Sequence, residues 1–463
     1  MSASAPSDKY ALEIIEPQER KSSNWDMFAT WVAANANNGT WFIGGVIAAC
    51  GFGGALGHLT WSSIVAYLTL AGIGYIGYKV GATTMGAARA SFGIRGSYVP
   101  SVMNMVMYVG WTAVNTFIAA TSVSILLNEM LGWPVWGEPG GEKGIIVGIV
   151  VMSLLHLASV STGANSVRII ERVGVVLVFV FAIWETVAVF QQVSFDQILS
   201  WTPPAGDQMA SGVAVDKLAA FNLGWVTCAA DFTRFSKKPS GSHIVPFVGA
   251  FIGVCWFALV GLVATISIAI TSGAYDANNS DPSTIASKLG LGALALIVVI
   301  LTSMTANAVN LMAAGSSLTN IATKLKLTPA LWIVTLIACL VTFIPLIIGS
   351  FLDSFTLFLD YIGCALGPVT AIMLTDFFIR NHGDYSRKDL TAEGGRFWYA
   401  SGINWVALGC WLLGVVLYIL LGKVSFLTAT VGATFPNMII VALVYWLLMT
   451  CVVDRRAATS GEA

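Results

Sequence analysis

The chain has 463 residues, of which 56% are hydrophobic and only 10% charged, with a formal net charge of -1. A soluble domain carries ~25% charged residues, so most of this surface faces something other than water, and a soluble enzyme is excluded. The composition is that of an all-α protein embedded in a bilayer, the lipid being its first expected partner.

Twelve apolar spans follow one another, near 26–51, 57–78, 98–127, 145–163, 169–191, 214–235, 244–272, 287–322, 329–349, 352–379, 398–421 and 425–450. Each approaches or exceeds the ~20 residues that a transmembrane helix needs. The first 24 residues are polar and of mixed charge, without the basic-then-apolar pattern of a signal peptide. With both termini in the cytoplasm, only Lys143, Lys217, Lys288 and Lys423 of the 23 basic residues fall in outer loops. That asymmetry supports the count of twelve and a multi-pass orientation in the plasma (cytoplasmic) membrane. The seven cysteines lie in or at the ends of spans without metal-ligand spacing, as small core residues do.

Polar residues gather at one depth. In span 1 the stretch WVAANANNGTWF, residues 31–42, puts Asn35 to Thr40 near mid-membrane, with Gly39 the expected break between two half-helices. In span 3, Asn104, Tyr108, Trp111 and Asn115 are spaced four, three and four apart and share a face. Span 6 contributes Phe221, Asn222, Gly224 and Trp225, and span 8 contributes Thr302, Ser303, Thr305, Asn307 and Asn310. In a single span such residues fit helix packing or interhelical hydrogen bonding. Four spans with the same polar layer point instead to a cavity that binds something polar. Spans 1 and 6, five apart, both combine glycine, asparagine and small residues at their centres, the sign of broken helices in an inverted-repeat transporter.

Ionisable residues inside spans are few. Asp231 and Arg234 near the inner surface suit a local pair or a helix cap, whereas His156, Glu185 and Asp360 lie deeper and are candidate proton carriers. No GxxxxGK[ST], HExxH or GxSxG pattern is present, which argues against an ATP-driven pump or a hydrolase within this chain. No catalytic residue and no cofactor are expected.

WDMFATWVAAN opening span 1, ARASFGIRGSYVPS before span 3, GWTAVNTF within it, AADFTRF closing span 6 and the asparagine-rich span 8 together resemble the nucleobase-cation symporters of the purine and cytosine permease type. The resemblance runs from about residue 24 to the end of span 10 and weakens over the last two spans. It implies a five-plus-five inverted repeat (LeuT-type) with helices 1 and 6 broken and two extra C-terminal helices. The corresponding division is an N-terminal tail over 1–25, repeats over 26–191 and 192–380, two added helices over 381–451 and a tail over 452–463.

Residue by residue, the family's stacking tryptophan corresponds to Trp111 and its span-3 amide to Asn115. Relatives that carry hydantoins tend to have glutamine there, and the purine-cytosine branch asparagine. The span-6 aromatic corresponds to Trp225, with Phe221 and Asn222 as other candidates. The span-8 amide corresponds to Asn310, with Asn307 a possible substitute, and span 1 would supply Asn38 and Thr40. A sodium site would use the carbonyls of Ala33 and Ala36 and the Thr305 hydroxyl. Its neighbouring ligand position holds Met304, a poor partner for a hard cation, unless Ser303 moves in. The expected activity is symport of a nucleobase (cytosine, adenine or a related purine) with H+ or Na+ by alternating access. No nucleic-acid partner is expected. The rival expectations are carriage of a hydantoin, allantoin, uracil or a thiamine-pathway pyrimidine, and a channel or non-transporting sensor.

Overall fold

The computed structural model describes residues 14–162 and 164–454, so most of the expected N-terminal tail and nearly all of the C-terminal tail lie outside the described residues. Among the described residues there is no β-strand, only two isolated bridges.

Span 1 consists of α1 (Asn24–Asn35) and α2 (Asn38–Val46). α1 begins at a capping box in which Ser23 and Asp26 bond each other's backbone N–H. It stops because Ala36 is non-helical and Asn37 is extended (φ -141°, ψ 161°), the Asn37 side chain then capping α2 at Thr40 N. The break is therefore at Ala36 and Asn37, and not at Gly39, which lies in the first turn of α2. Gly39 serves close packing instead: a Cβ there would stand 3.2 Å from the Trp111 ring.

Span 2 is α3 (Gly51–Val80), followed by a loop helix α4 (Thr84–Phe92). Spans 3 to 5 are α5 (Tyr98–Leu131), α6 (Glu142–Thr162) and α7 (Ala164–Gln192), with a short α8 (Phe195–Ser200) after them. Span 6 is α9 (Ser211–Val226) and α10 (Ala229–Thr233), interrupted at Thr227 and Cys228. Span 7 is α11 (Ile244–Ser272). A loop helix α12 (Pro282–Lys288) precedes span 8, α13 (Gly292–Ile321), and span 9 is α14 (Leu327–Val341) with α15 (Ile344–Ile348), divided just before Pro345. Span 10 is α16 (Phe351–Leu374), ending in a π turn. Span 11 is α17 (Trp405–Leu421), and a short α18 (Ser425–Ala429) leads to span 12, α19 (Thr434–Leu448).

Nine stretches among the described residues are long and apolar enough to cross a membrane by themselves. The remaining three spans are the broken first, the fifth, whose described apolar part is Val176–Gln192, and the 17-residue eleventh. Large apolar side chains such as Leu154, Val180, Leu340 and Leu443 are exposed, as a lipid-facing surface requires.

Packing follows the inverted repeat. Both halves of span 1 lie along α11, and both halves of span 6 lie along α3, while α5 and α13 cross between them. Span 1 on span 7 and span 6 on span 2 is the reciprocal pairing that a five-plus-five repeat produces. Glycines make both contacts possible. Gly249, Gly253 and Gly261 of α11 receive the backbone of span 1, and Gly74 and Gly77 of α3 receive the backbone before α11 and of α10.

Three carboxylates tie segments together. Asp231 caps α4 through Thr84 N at 3.0 Å and also faces Arg234. Asp216 accepts from Ala433 N and Thr434 N and so anchors α19 to α9. Lys217, expected in an outer loop, is instead inside α9 and only 8% exposed, held by Asp360 at 2.7 Å and the Thr356 carbonyl at 3.1 Å.

A candidate cavity between the broken helices

The breaks in spans 1 and 6 and the facing sides of α5 and α13 line a narrow cavity. Its wall is Asn37 from span 1, Tyr108, Trp111 and Asn115 from α5, Phe221, Gly224 and Trp225 from α9, and Ala306 and Asn310 from α13. None of these nine side chains carries a charge at neutral pH.

Trp111 is immobilised as a platform. Phe221 meets it edge-on at 5.2 Å, and Phe358 and Phe355 of α16 do so at 5.2 and 6.1 Å. Gly39 and Gly224 allow the neighbouring helices to approach it, since a Cβ on Gly224 would stand 2.9 Å from the indole nitrogen. The break in span 6 is supported from the same helix: the Tyr108 hydroxyl donates to the Gly224 carbonyl at 2.9 Å, so the interrupted backbone is not left unpaired.

The amides differ in what they leave free. Asn115 donates to the Trp111 carbonyl at 3.1 Å, while its Oδ1 is buried without any hydrogen-bond partner. A buried acceptor left open in a cavity wall costs about 1–3 kcal/mol unless a ligand satisfies it. Asn310 is held from behind, its Nδ2 donating to Asn307 Oδ1 at 3.4 Å. Asn307 is in turn within hydrogen-bonding distance of the Thr112 carbonyl, the Thr116 hydroxyl and His156 Nε2, at 3.0–3.1 Å. The imidazole of span 4 thus supports the cavity through two amides and does not touch it.

Of the nine residues expected to bind substrate, Trp111, Asn115, Phe221, Trp225 and Asn310 form the wall, whereas Asn38, Thr40, Asn222 and Asn307 do not. Asn38 turns toward α13, donating to Ser303 Oγ at 2.6 Å and the Val299 carbonyl at 3.1 Å and accepting from Thr302 at 3.2 Å. Thr40 is fully buried and its hydroxyl has no partner. Asn222 donates to Ser63 of α3 at 3.0 Å. The physical reason in span 1 is helical phase. The break precedes Gly39, so the cap Asn37 meets the cavity and Asn38, the next residue, is rotated by ~100° toward α13. Of the other wall residues, Tyr108, Gly224 and Asn37 belong to the polar layer read from the sequence but had no binding role there, and Ala306 was left out; nothing local distinguished Asn37 from Asn38.

The hydroxyls considered for a cation each donate to a backbone carbonyl, which leaves oxygen lone pairs open on both. Ser303 donates to the Asn115 carbonyl at 2.9 Å while accepting from Asn38, and Thr305 donates to the Thr302 carbonyl at 2.7 Å. The Ala33 carbonyl accepts from Ala36 N at 3.0 Å. Asn38→Ala removes the link between α2 and α13 and leaves buried partners unpaired, so it should lower stability by about 1–3 kcal/mol. Thermal unfolding of the detergent-purified variant checks this, and an unchanged midpoint would contradict the assignment.

Comparison with known proteins agrees with this geometry. An allantoin permease of Bacillus subtilis (strain 168) is 26% identical over 447 residues, covering 89% of this chain and 87% of its own. A cytosine permease of Escherichia coli (strain K12) is 25% identical over 361 residues, covering 74% of this chain and 75% of its own. Among solved structures, Mhp1, a nucleobase-cation-symport-1 family transporter in a closed conformation with bromovinylhydantoin bound, superposes with a TM-score of 0.75 at 16% identity, covering 98% of this chain and 96% of its own. The family described as "Permease for cytosine/purines, uracil, thiamine, allantoin" matches residues 14–448, nearly the whole described length. A membrane of twelve helices, two of them broken around an uncharged aromatic and amide cavity, and a family match over that span have one meaning: the chain belongs to the nucleobase-cation symporter family of permeases, and it is a transporter, not an enzyme.

Proposed function

We propose that this permease imports a purine or pyrimidine base, cytosine, adenine or a related oxopurine, across the plasma membrane by proton symport. Its termini are then cytoplasmic, on the side that carries most of the basic residues. The observation that carries the reading is the pairing of the Trp111 ring with the open Asn115 oxygen across one uncharged cavity. A base is a flat neutral ring with donors and acceptors on its edge. Trp111, with Phe221 and Trp225, offers aromatic surface to its face, and Asn115 and Asn310 offer amide groups to its rim. Asn115 Oδ1 accepts from an exocyclic amine or ring N–H, and a competitor lacking that donor leaves the oxygen unpaired, which is the source of discrimination. Asn38, Asn222 and Asn307 act behind the wall, holding the wall-forming helices in place.

The proton is favoured over sodium by the residue beside Thr305. Met304 supplies only a soft thioether there, a poor ligand for a hard cation. Uptake of labelled cytosine, adenine, hypoxanthine, uracil, allantoin and hydantoin into cells without their own carriers tests the substrate. Saturable uptake of a purine or cytosine is expected, and unlabelled allantoin or hydantoin competing better would transfer the assignment to those rings. At fixed pH, removing sodium should leave uptake intact and a protonophore should abolish it; sodium dependence would restore the Ala33, Ala36 and Thr305 site.

A further inference from the structure

Glu185, in the C-terminal third of α7, is fully buried (0% exposed), and both of its carboxyl oxygens lack a hydrogen-bond partner. The Trp41 indole N–H faces it, yet that group also completes no hydrogen bond. Trp41 itself is enclosed by Phe257 at 4.9 Å and Phe181 at 5.8 Å, so the carboxyl stands in an aromatic, dry environment.

Among the described residues no cation compensates it. Of the helices packed against α7, α13 carries no ionisable side chain and α11 only the Cys255 thiol. α6 carries Glu142 and Lys143 at its start and His156, which is engaged by Thr116 and Asn307. α2, reached through Trp41, has no ionisable group. Arg168, Glu171 and Arg172 of α7 itself are at least 13 residues away along the chain, ~20 Å at the helical rise. An unpaired carboxylate in such a place costs several kcal/mol, whereas the neutral acid can stay.

We infer that Glu185 is the proton-binding site of this symporter, loaded when the α2–α7 contact closes and emptied when it opens to water. The inference rests on the nucleobase-symport reading above. The step is a bare proton transfer: the carboxylate takes a proton from water on one side of the membrane and returns it to water on the other. Coupling runs through Trp41, because α2 carries Trp41 on the same short helix as Gly39, whose cap Asn37 forms part of the cavity wall. A closed state that needs both the base and the proton makes each raise the affinity for the other.

Glu185→Gln, a neutral stand-in for the protonated acid, tests this in proteoliposomes with labelled cytosine or adenine, whichever the wild type carries. The wild type should accumulate base along an imposed pH gradient, and its base affinity should weaken by up to about tenfold per pH unit on the alkaline side, the limit for one linked proton. Glu185→Gln should exchange base within about twofold of the wild-type rate, lose accumulation, and show an affinity independent of pH. Glu185→Asp, still titratable, should recover accumulation. Proton-driven accumulation by Glu185→Gln overturns the inference, and so does loss of exchange in that variant, because the amide reproduces the loaded form. Wild-type protein that exchanges no base at all would sink the substrate reading first, and this inference with it.

Discussion

Trp111→Ala is expected to weaken base binding by roughly 5- to 150-fold, the equivalent of ~1–3 kcal/mol of lost stacking. The ring is held in the cavity wall by Phe221, Phe355 and Phe358. Its removal also leaves a void, so the variant should melt earlier as well. Trp111→Phe separates the two effects: it keeps an aromatic face and should recover part of the affinity. Equilibrium binding of labelled base to purified protein checks both variants. Wild-type affinity in Trp111→Ala would mean that the base does not sit on this platform.

Gly261→Val is expected to prevent recovery of folded protein. A Cβ at this position would lie far inside van der Waals contact of the Trp41 carbonyl oxygen, and Gly44 meets the Ala258 carbonyl in the same way from the opposite side. Both obstacles are backbone, so no rotamer change relieves them. Ordinary overpacking costs about 1–3 kcal/mol, and a clash with an immovable backbone exceeds that range. Because α2 would be pushed off α11, the cavity would lose Asn37 and the close approach of Gly39 to Trp111. Gly57→Ala is the control, since nothing lies within 4 Å of its added Cβ. Size-exclusion profiles of the two variants should differ sharply, and a normal profile for Gly261→Val would show that the span 1 and span 7 contact is not needed for folding.

These consequences indicate how far the chain could be read before it was folded. The motifs of spans 1, 3, 6 and 8 placed Trp111, Asn115, Trp225 and Asn310 in one layer, and all four meet in the cavity. The breaks in spans 1 and 6 were legible from their asparagine and glycine content, although the first falls at Ala36 and Asn37 because an asparagine side chain caps the next turn more effectively than glycine ends the last. Lys217 was misplaced for a different reason. Its position at the start of span 6 suggests an outer loop, but its partner Asp360 is on α16, far along the chain.

The sequence by itself determined the number of spans, the depth of the polar layer and the identity of the interrupted helices. Each of these depends on composition and periodicity within one segment, which the hydrocarbon enforces locally. Only the tertiary structure decided which members of that layer face the cavity and which are consumed in holding helices together. Asn37 and Asn38 are adjacent and chemically identical, yet one caps a helix at the cavity wall while the other bonds α13. Ser303 ties two other spans together, accepting from Asn38 and donating to the Asn115 carbonyl. A helix fixes the angle between neighbouring side chains, but the direction of the first of them is set by what the rest of the protein packs against it.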